Sequence, residues 1–303
     1  MKIVVTGGNG FIGRYVVKLI LQAGHTPVVY DDLSNSAFDD TLPCQFVIGD
    51  ILDTGKLKGV VHGAEAVIHL AARVSVEESH RRPCDFISSN VVGTASVLES
   101  APHGLPCRIV LASTGAVYGD RKRLAVSEGA IRCPQSIYAV SKCAAEDVLE
   151  IGANGKNIST SILRFFNVYG DGQSPSSPYS GVITRWLELL GMAKDLRING
   201  SGSQVRDFIH VSDVARAVVD LGLFGAPGVY NVGTGVGTSI ATLADMMSTG
   251  TRSKTVLSGI EIPGDIEWSQ ADISAAIEEG WAPRMSLNNW IESKKVELNF
   301  LLS

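Results

Sequence analysis

Residues Lys2–Gly13 read KIVVTGGNGFIG, and the fold turns on how this stretch is read. A β-branched run, Ile3–Thr6, is followed by Gly7, Gly10 and Gly13 in a Gly-x-x-Gly-x-x-Gly pattern that opens a segment of helical period. Glycines let a chain turn sharply out of a strand and let its backbone approach a pyrophosphate. The helix start behind them offers unbonded N–H groups and the positive end of the helix dipole. A glycine triplet alone is weak evidence, because many strand–helix turns use glycine. Here Phe11, Ile12, Val16, Leu19, Ile20 and Ala23 follow as one apolar stripe closed by Gly24, which predicts an amphipathic helix.

The same alternation runs outward along the chain. Pro27–Asp31, Gln45–Asp50, Ala66–Ala71, Arg108–Ser113 and Thr160–Phe165 read as further strands. A second helical stripe holds Ile137, Val140, Ala144, Val148 and Ile151 and is closed by Gly152. Strands alternating with helices predict an α/β fold, a Rossmann-type doubly wound parallel sheet. Its ligand belongs beyond the carboxyl ends of the strands, where the strand order reverses. After Asn167 the pattern changes, with Gly, Ser and Pro crowding Gly170–Gly181. The expected division is a nucleotide-binding domain over 1–166, returning at about 206–235, with a smaller lobe from 167–205 and 236–303.

Composition narrows the function. In 303 residues, 26 Lys+Arg stand against 31 Asp+Glu with no basic run, so no nucleic-acid partner is expected. Glycines break the apolar N-terminus before a signal-peptide core forms, and no apolar run is long enough for a membrane span. A cytoplasmic protein is expected. Cys44, Cys84, Cys107, Cys133 and Cys143 show no CxxC or zinc-like spacing, and the histidines show no ligand spacing. No metal is expected.

Three further features carry chemistry. Asp31 ends the second strand about 20 residues past the glycine loop, where a carboxylate accepts from an adenosine ribose. No arginine adjoins it to take a 2′-phosphate, which favours NAD over NADP; Asp50, in Gly49-Asp50-Ile51, falls within reach of an adenine. Tyr138 and Lys142, four apart in YAVSK, share one helix face. A nearby ammonium and a positive nicotinamide would draw the phenol's pKa down toward working pH, fitting it to act as a general base. An exposed Tyr/Lys pair is common on helices, so this pair gains meaning only behind a nucleotide loop.

TGGNGFIG, Asp31, HLAA (His69–Ala72), YAVSK and RFFNVYG (Arg164–Gly170) together resemble the extended short-chain dehydrogenase/reductase family. RDFIHVSDVA (Arg206–Ala215), YNVGTG (Tyr230–Gly235) and PGDIEWSQADIS (Pro263–Ser274) narrow the likeness to its NAD-dependent nucleotide-sugar 4-epimerases. The resemblance implies that Gly7, Gly10, Phe11, Ile12, Gly13, Asp31, Asp50, Ile51, Leu70, Ala71 and Ala72 hold NAD, together with Tyr138 and Lys142. It implies that Thr114 bonds the sugar O4 and relays its proton to Tyr138. Ser75, Asn167, Val182, Arg206 and Ser269 would line the substrate site, Asn167 and Arg206 at the diphosphate. Otherwise Arg206 pairs with Asp207 or Asp213, and Ser269 is a loop serine without a contact. The implied reaction oxidises C4 to a ketone and re-reduces it on the other face, with NAD retained throughout.

The stretch after Thr114 separates the relatives. Dehydratases of this family resemble Asp-Glu-Val-Tyr there and decarboxylases Ser-Glu-Val-Tyr; this chain has Gly115-Ala116-Val117-Tyr118. Without those acids, elimination has no evident acid/base pair. One departure concerns the carrier nucleotide: many epimerases place an arginine where this chain has Ile262, which leaves UDP open as the carrier. Serine at 269 leaves room for a C2 N-acetyl group without requiring it. Segments Asn90–Ala101 and Ile137–Ile151 resemble the helices of the family's homodimer. A dehydratase, a decarboxylase or a 4-ketosugar reductase of the same family, and a non-catalytic nucleotide sensor, are the alternative readings, and the Thr114–Tyr138–Lys142 set argues against the sensor.

Overall fold

The computed structural model describes residues 1–35, 42–102, 105–121, 123–173, 181–260 and 265–301. Ile262 and the greater part of Gly170–Gly181 lie outside the described residues. The strands are β1 (Lys2–Thr6), β2 (Thr26–Asp31), β3 (Gln45–Ile48), β4 (Ala66–His69), β5 (Cys107–Thr114), β6 (Ile158–Phe165), β7 (Asn167–Tyr169), β8 (Leu196–Ile198), β9 (Val205–His210), β10 (Gly228–Val232), β11 (Gly237–Ser239), β12 (Thr255–Leu257) and β13 (Trp268–Ser269). The helices are α1 (Phe11–Gln22), α2 (Thr54–Val61), α3 (Val76–Arg81), α4 (Pro83–Phe86), α5 (Gly93–Ser100), α6 (Ile137–Ala153), α7 (Val182–Gly191), α8 (Val211–Ala217), α9 (Ile240–Ser248), α10 (Ser274–Glu278) and α11 (Leu287–Leu301).

Seven strands form one parallel sheet in the order β10-β6-β5-β4-β1-β2-β3. All the strands read in the sequence lie in it. Most are β-branched runs buried on both faces, as parallel strands are. The order reverses between β1 and β4, which pair with Thr6 opposite His69. The glycine loop leaves β1 at this switch point. One face of the sheet is covered by α1, α8 and the helical stretch Val218–Phe224 that continues α8, through Val16, Val17, Ile20, Val214 and Val218. The other is covered by α2, α5 and α6, through Leu57, Val97, Ala145 and Leu149.

Two sequence expectations for α6 need correction. Gly152 does not end the helix, which runs to Ala153 and is capped at Asn154. A Cβ at 152 would stand 2.2 Å from Leu98 Cδ2, so this glycine lets α6 approach α5. The apolar stripe is also not the face that meets the sheet: Ile151 is 71% and Val140 42% exposed, whereas Tyr138, Ser141, Lys142, Ala145, Glu146 and Leu149 are buried. Polar side chains occupy the inner face because they have partners there, as described below.

The later part of the chain forms a second core around Trp186, Leu190, Ile198, Phe208, Leu243, Met247 and Trp290. Its strands are short: β9 pairs with β7, β11 and β13, and β8 with β12. Among the described residues no helix is long and apolar enough to cross a membrane.

Candidate active site

The turn between β1 and α1 admits little besides glycine. Gly7 has φ +68°, and a Cβ there would meet Ala71 N at 2.6 Å. A Cβ on Gly13 would meet Gly7 O at 2.3 Å. Gly10 caps α1 without a side-chain bond, so the first N–H groups of the helix have no capping side chain. Phe11 and Ile12 form that first turn, half-buried. Asp31, 8% exposed at the end of β2, accepts from Asn9 N at 3.0 Å and Leu33 N at 2.8 Å. Burial raises its pKa and these backbone bonds oppose the rise; each oxygen keeps a further lone pair for a hydroxyl donor. Asp50 is exposed and accepts from Leu52 N at 2.9 Å, and Ile51 packs against Gly93. Leu70, Ala71 and Ala72 leave β4 half-buried beside the glycine loop.

This crowded, uncapped helix start beside a ribose-type carboxylate fits a dinucleotide. It sits at the switch point of the sheet, where such ligands bind.

Thr114 ends β5 and caps the tight turn Gly115–Tyr118, accepting from Ala116 N at 3.2 Å. Its hydroxyl lies near enough to the Tyr138 phenol to act on the phenol's pKa. Lys142 follows one turn along α6, 4% exposed. The three residues paired in the sequence reading thus meet at the carboxyl end of a central strand. Their electrostatics differ from the expectation, however. Burial dominates and pushes Tyr138 up to about 12; the Thr114 hydroxyl, not the Lys142 ammonium, is what opposes it. Burial pushes Lys142 down to about 8, against the Glu146 carboxylate. The protein alone therefore keeps the phenol protonated.

Residues that the sequence reading passed over hold this cluster. Asn90 lies in a π-helical stretch, Ile87–Val92, and donates to Arg73 O at 3.0 Å and Ser141 Oγ at 2.9 Å. Its Oδ1 accepts from Arg73 N at 2.9 Å, so it ties the chain beyond β4 to α6. A wide helical turn among aligned polar residues leaves no periodic signal in a sequence. His69 and Glu146, both buried beneath the cluster, were likewise unassigned; the Tyr138, Lys142, Glu146 spacing of four was the available clue.

Gly115 explains the missing acid in space as well as in sequence. A Cβ there would stand 3.0 Å from the Phe166 ring. Among the side chains of Gly115–Tyr118 none is acidic, and Val117 and Tyr118 are buried.

A second group gathers on the smaller lobe. β13 places Ser269 opposite Arg206 on β9. Arg206 pairs with neither Asp207 nor Asp213: its Nη2 bonds Asp265 Oδ1 at 2.6 Å. Asp207 is instead saturated by Thr234, Gly235 and Ala271, and Asp213 by Arg216, Arg284 and Met285. Val182, Arg185, Arg197 and Arg206 line one cleft with Asp265. Asn167 is exposed at the start of β7, opposite Phe208. Ser75 caps α3, accepting from Glu78 N at 3.1 Å. Asp120, just past the Thr114 turn, accepts from Trp268 N at 3.3 Å and so brings β13 toward Thr114.

A family model described as the NAD-dependent epimerase/dehydratase family matches residues 3–233. The chain belongs to this family. NAD is accordingly its cofactor. The UDP-glucose 4-epimerase of Mycolicibacterium smegmatis is 34% identical over 310 residues, with 98% of each chain covered. A UDP-glucose 4-epimerase structure from Thermotoga maritima, with UDP-glucose, has a TM-score of 0.92, 31% identity and 100% coverage of both chains. The Thermus thermophilus UDP-glucose 4-epimerase, in complex with NAD, has a TM-score of 0.91 at 29% identity, covering 99% of each.

Proposed function

We propose that this chain is an NAD-dependent 4-epimerase of a UDP-hexose or UDP-N-acetylhexosamine. The observation that carries the reading is the neighbouring Thr114 and Tyr138 with the buried Lys142 one turn along α6, and no carboxyl group in the turn that follows Thr114. NAD, when bound, supplies a reversible two-electron oxidant for the sugar carbon. The protein's own part is placement and proton management. Thr114 orients the sugar O4, Tyr138 takes and returns its proton, and Lys142 contributes a buried positive charge. Because burial raises the Tyr138 pKa, the positive charge that lets it act as a base comes from the loaded site rather than from the protein alone.

Arg206 uses Nη2 for Asp265 and Nη1 for Val205 O, which orients the guanidinium in the cleft it shares with Arg185 and Arg197. These cations suit a diphosphate, and Arg185 and Arg197 offset the absent arginine at 262. Ser269, adjacent in register to Arg206, is small enough to leave space beside the sugar's C2 substituent. We place Asn167, Val182 and Ser75 along the same substrate path. The outward apolar stripe of α6 supports a homodimer, and five unpaired cysteines fit a reducing cytoplasm. The sheet domain and the smaller lobe divide the work between cofactor and nucleotide sugar.

The test is incubation with UDP-glucose, UDP-N-acetylglucosamine and UDP-glucuronate, reading the C4 configuration by proton NMR. An epimer from one of them is expected without added NAD turnover, and Tyr138→Phe should keep bound NAD while losing at least ~10²-fold in rate. A 4-keto-6-deoxy product would instead make the enzyme a dehydratase.

A further inference from the structure

One turn beyond Lys142, on the same face of α6, stands Glu146, 1% exposed. Its carboxylate is fully engaged. Arg164, near the end of β6, donates to both oxygens, Nε to Oε1 at 3.0 Å and Nη2 to Oε2 at 2.7 Å. Arg132, in the segment before α6, adds Nη1 to Oε2 at 3.2 Å. The fourth donor is the Ser113 hydroxyl, which bonds Oε1.

Ser113 immediately precedes Thr114, so this last bond runs from the strand carrying Thr114 to the helix carrying Tyr138. Arg164 reaches further: its Nη1 donates to Tyr118 Oη at 2.9 Å, and that phenol donates to Asn231 Oδ1 at 2.7 Å. Tyr118 closes the turn that begins after Thr114. Both flanks of Thr114 therefore hang on one buried carboxylate, the strand side directly and the turn side through Arg164. A stabilising ion pair alone would need only Arg164 and Arg132; the Ser113 bond adds nothing to charge balance.

We propose that Glu146 is a positioning residue which, through Ser113 on one flank and through Arg164 and Tyr118 on the other, sets the Thr114 hydroxyl against the Tyr138 phenol. The inference rests on the epimerase reading for its role in turnover but not for its geometry. Glu146 also opposes the loss of the Lys142 proton, since its charge acts on that ammonium from one turn away.

Ser113→Ala is the sharper variant, because it removes the strand–helix bond and leaves Arg164 on Glu146. The readout is the ionisation of Tyr138, taken from the phenolate absorbance of the purified protein minus that of Tyr138→Phe. The nearby Thr114 hydroxyl lowers the phenol's pKa, so displacing it should move this titration to higher pH. In turnover, kcat should fall about tenfold with KM and NAD content within about twofold, as for a misplaced proton relay. A titration unchanged from the parent chain would overturn the proposal. If Ser113→Ala does not fold, Tyr118→Phe decides: it removes the link from Arg164 to the turn after Thr114 and leaves the Glu146 carboxylate in place. The Tyr138 titration, read against the same variant carrying Tyr138→Phe, should again move to higher pH, and an unmoved titration would overturn the proposal. Absence of any nucleotide-sugar turnover in the parent chain would remove the epimerase reading alone, leaving the Tyr138 titration to judge the positioning.

Discussion

His69 shows how a single buried residue couples this site to the stability of the molecule. Its Nδ1 lies 2.8 Å from Thr6 Oγ1 and its Nε2 3.2 Å from Thr94 Oγ1. Thr94 gives its only proton to Asn90 O at 2.6 Å, so Nε2 carries the imidazole hydrogen and Nδ1 accepts from Thr6. Burial first, and then the Lys142 charge, pushes His69 down from 6.5 to about 3. Between those values the unfolded chain binds a proton that the folded chain does not, so stability falls as pH falls through that window. The loss reaches about 5 kcal/mol at its foot, at ~1.4 kcal/mol per unit. Urea midpoints measured from pH 7 to pH 4 should fall steeply in the parent chain. They should fall less in His69→Gln, whose amide stays neutral throughout. At this scale the candidate site was legible where type and spacing coincide, as at Tyr138 and Lys142, whereas Thr114 stood out only through the family likeness. The direction of the Tyr138 shift was not, because desolvation depends on what surrounds the phenol and not on its neighbour in YAVSK.

Among the elements, the β1–α1 turn is the one whose sequence and geometry agree most closely. The crowding at Gly13 is against backbone, Gly7 O and Gly8 Cα, which cannot swing aside as a side chain can. Gly13→Ala should therefore displace the loop or the start of α1, and NAD affinity should fall at least about tenfold. Fluorescence of added NADH or the NAD released on denaturation reads the change. A folded Gly13→Ala protein with undiminished NAD would refute this account of the turn. Five of the six strands read in the sequence were legible because burial on both faces writes a continuous apolar signal, while β3, at the sheet edge, is largely exposed. The smaller lobe's β7, β8, β11 and β13 were not, because two- or three-residue strands carry no alternation. Helix α6 misled for a different reason: its inner face is held by hydrogen bonds, so its hydrophobic stripe marks the outer one. The Arg206–Asp265 pair joins residues far apart in sequence, which spacing cannot reveal.

For the whole molecule, that outer face has a consequence for assembly. Val140 and Ile151 are 42% and 71% exposed on α6, and Ile87 and Val92 are 39% and 50% exposed on the helical segment packed beside it. Contiguous apolar groups on adjoining helices are costly in water and mark association surfaces. Two such helices presented by each of two identical chains would form a self-complementary patch, which a twofold axis would close into a four-helix interface. Sedimentation should accordingly find a dimer, and Val140→Glu with Ile151→Glu should shift it to monomer, since a charge on each copy would be desolvated at the interface. The same helix carries Tyr138 and Lys142 on its opposite face, so such an interface would stiffen the element that holds the proposed catalytic groups. The monomeric variant should therefore keep NAD but turn over more slowly and melt at a lower temperature. A parent chain that sediments as a monomer at micromolar concentration would remove the interface, and with it any support that α6 draws from a second copy.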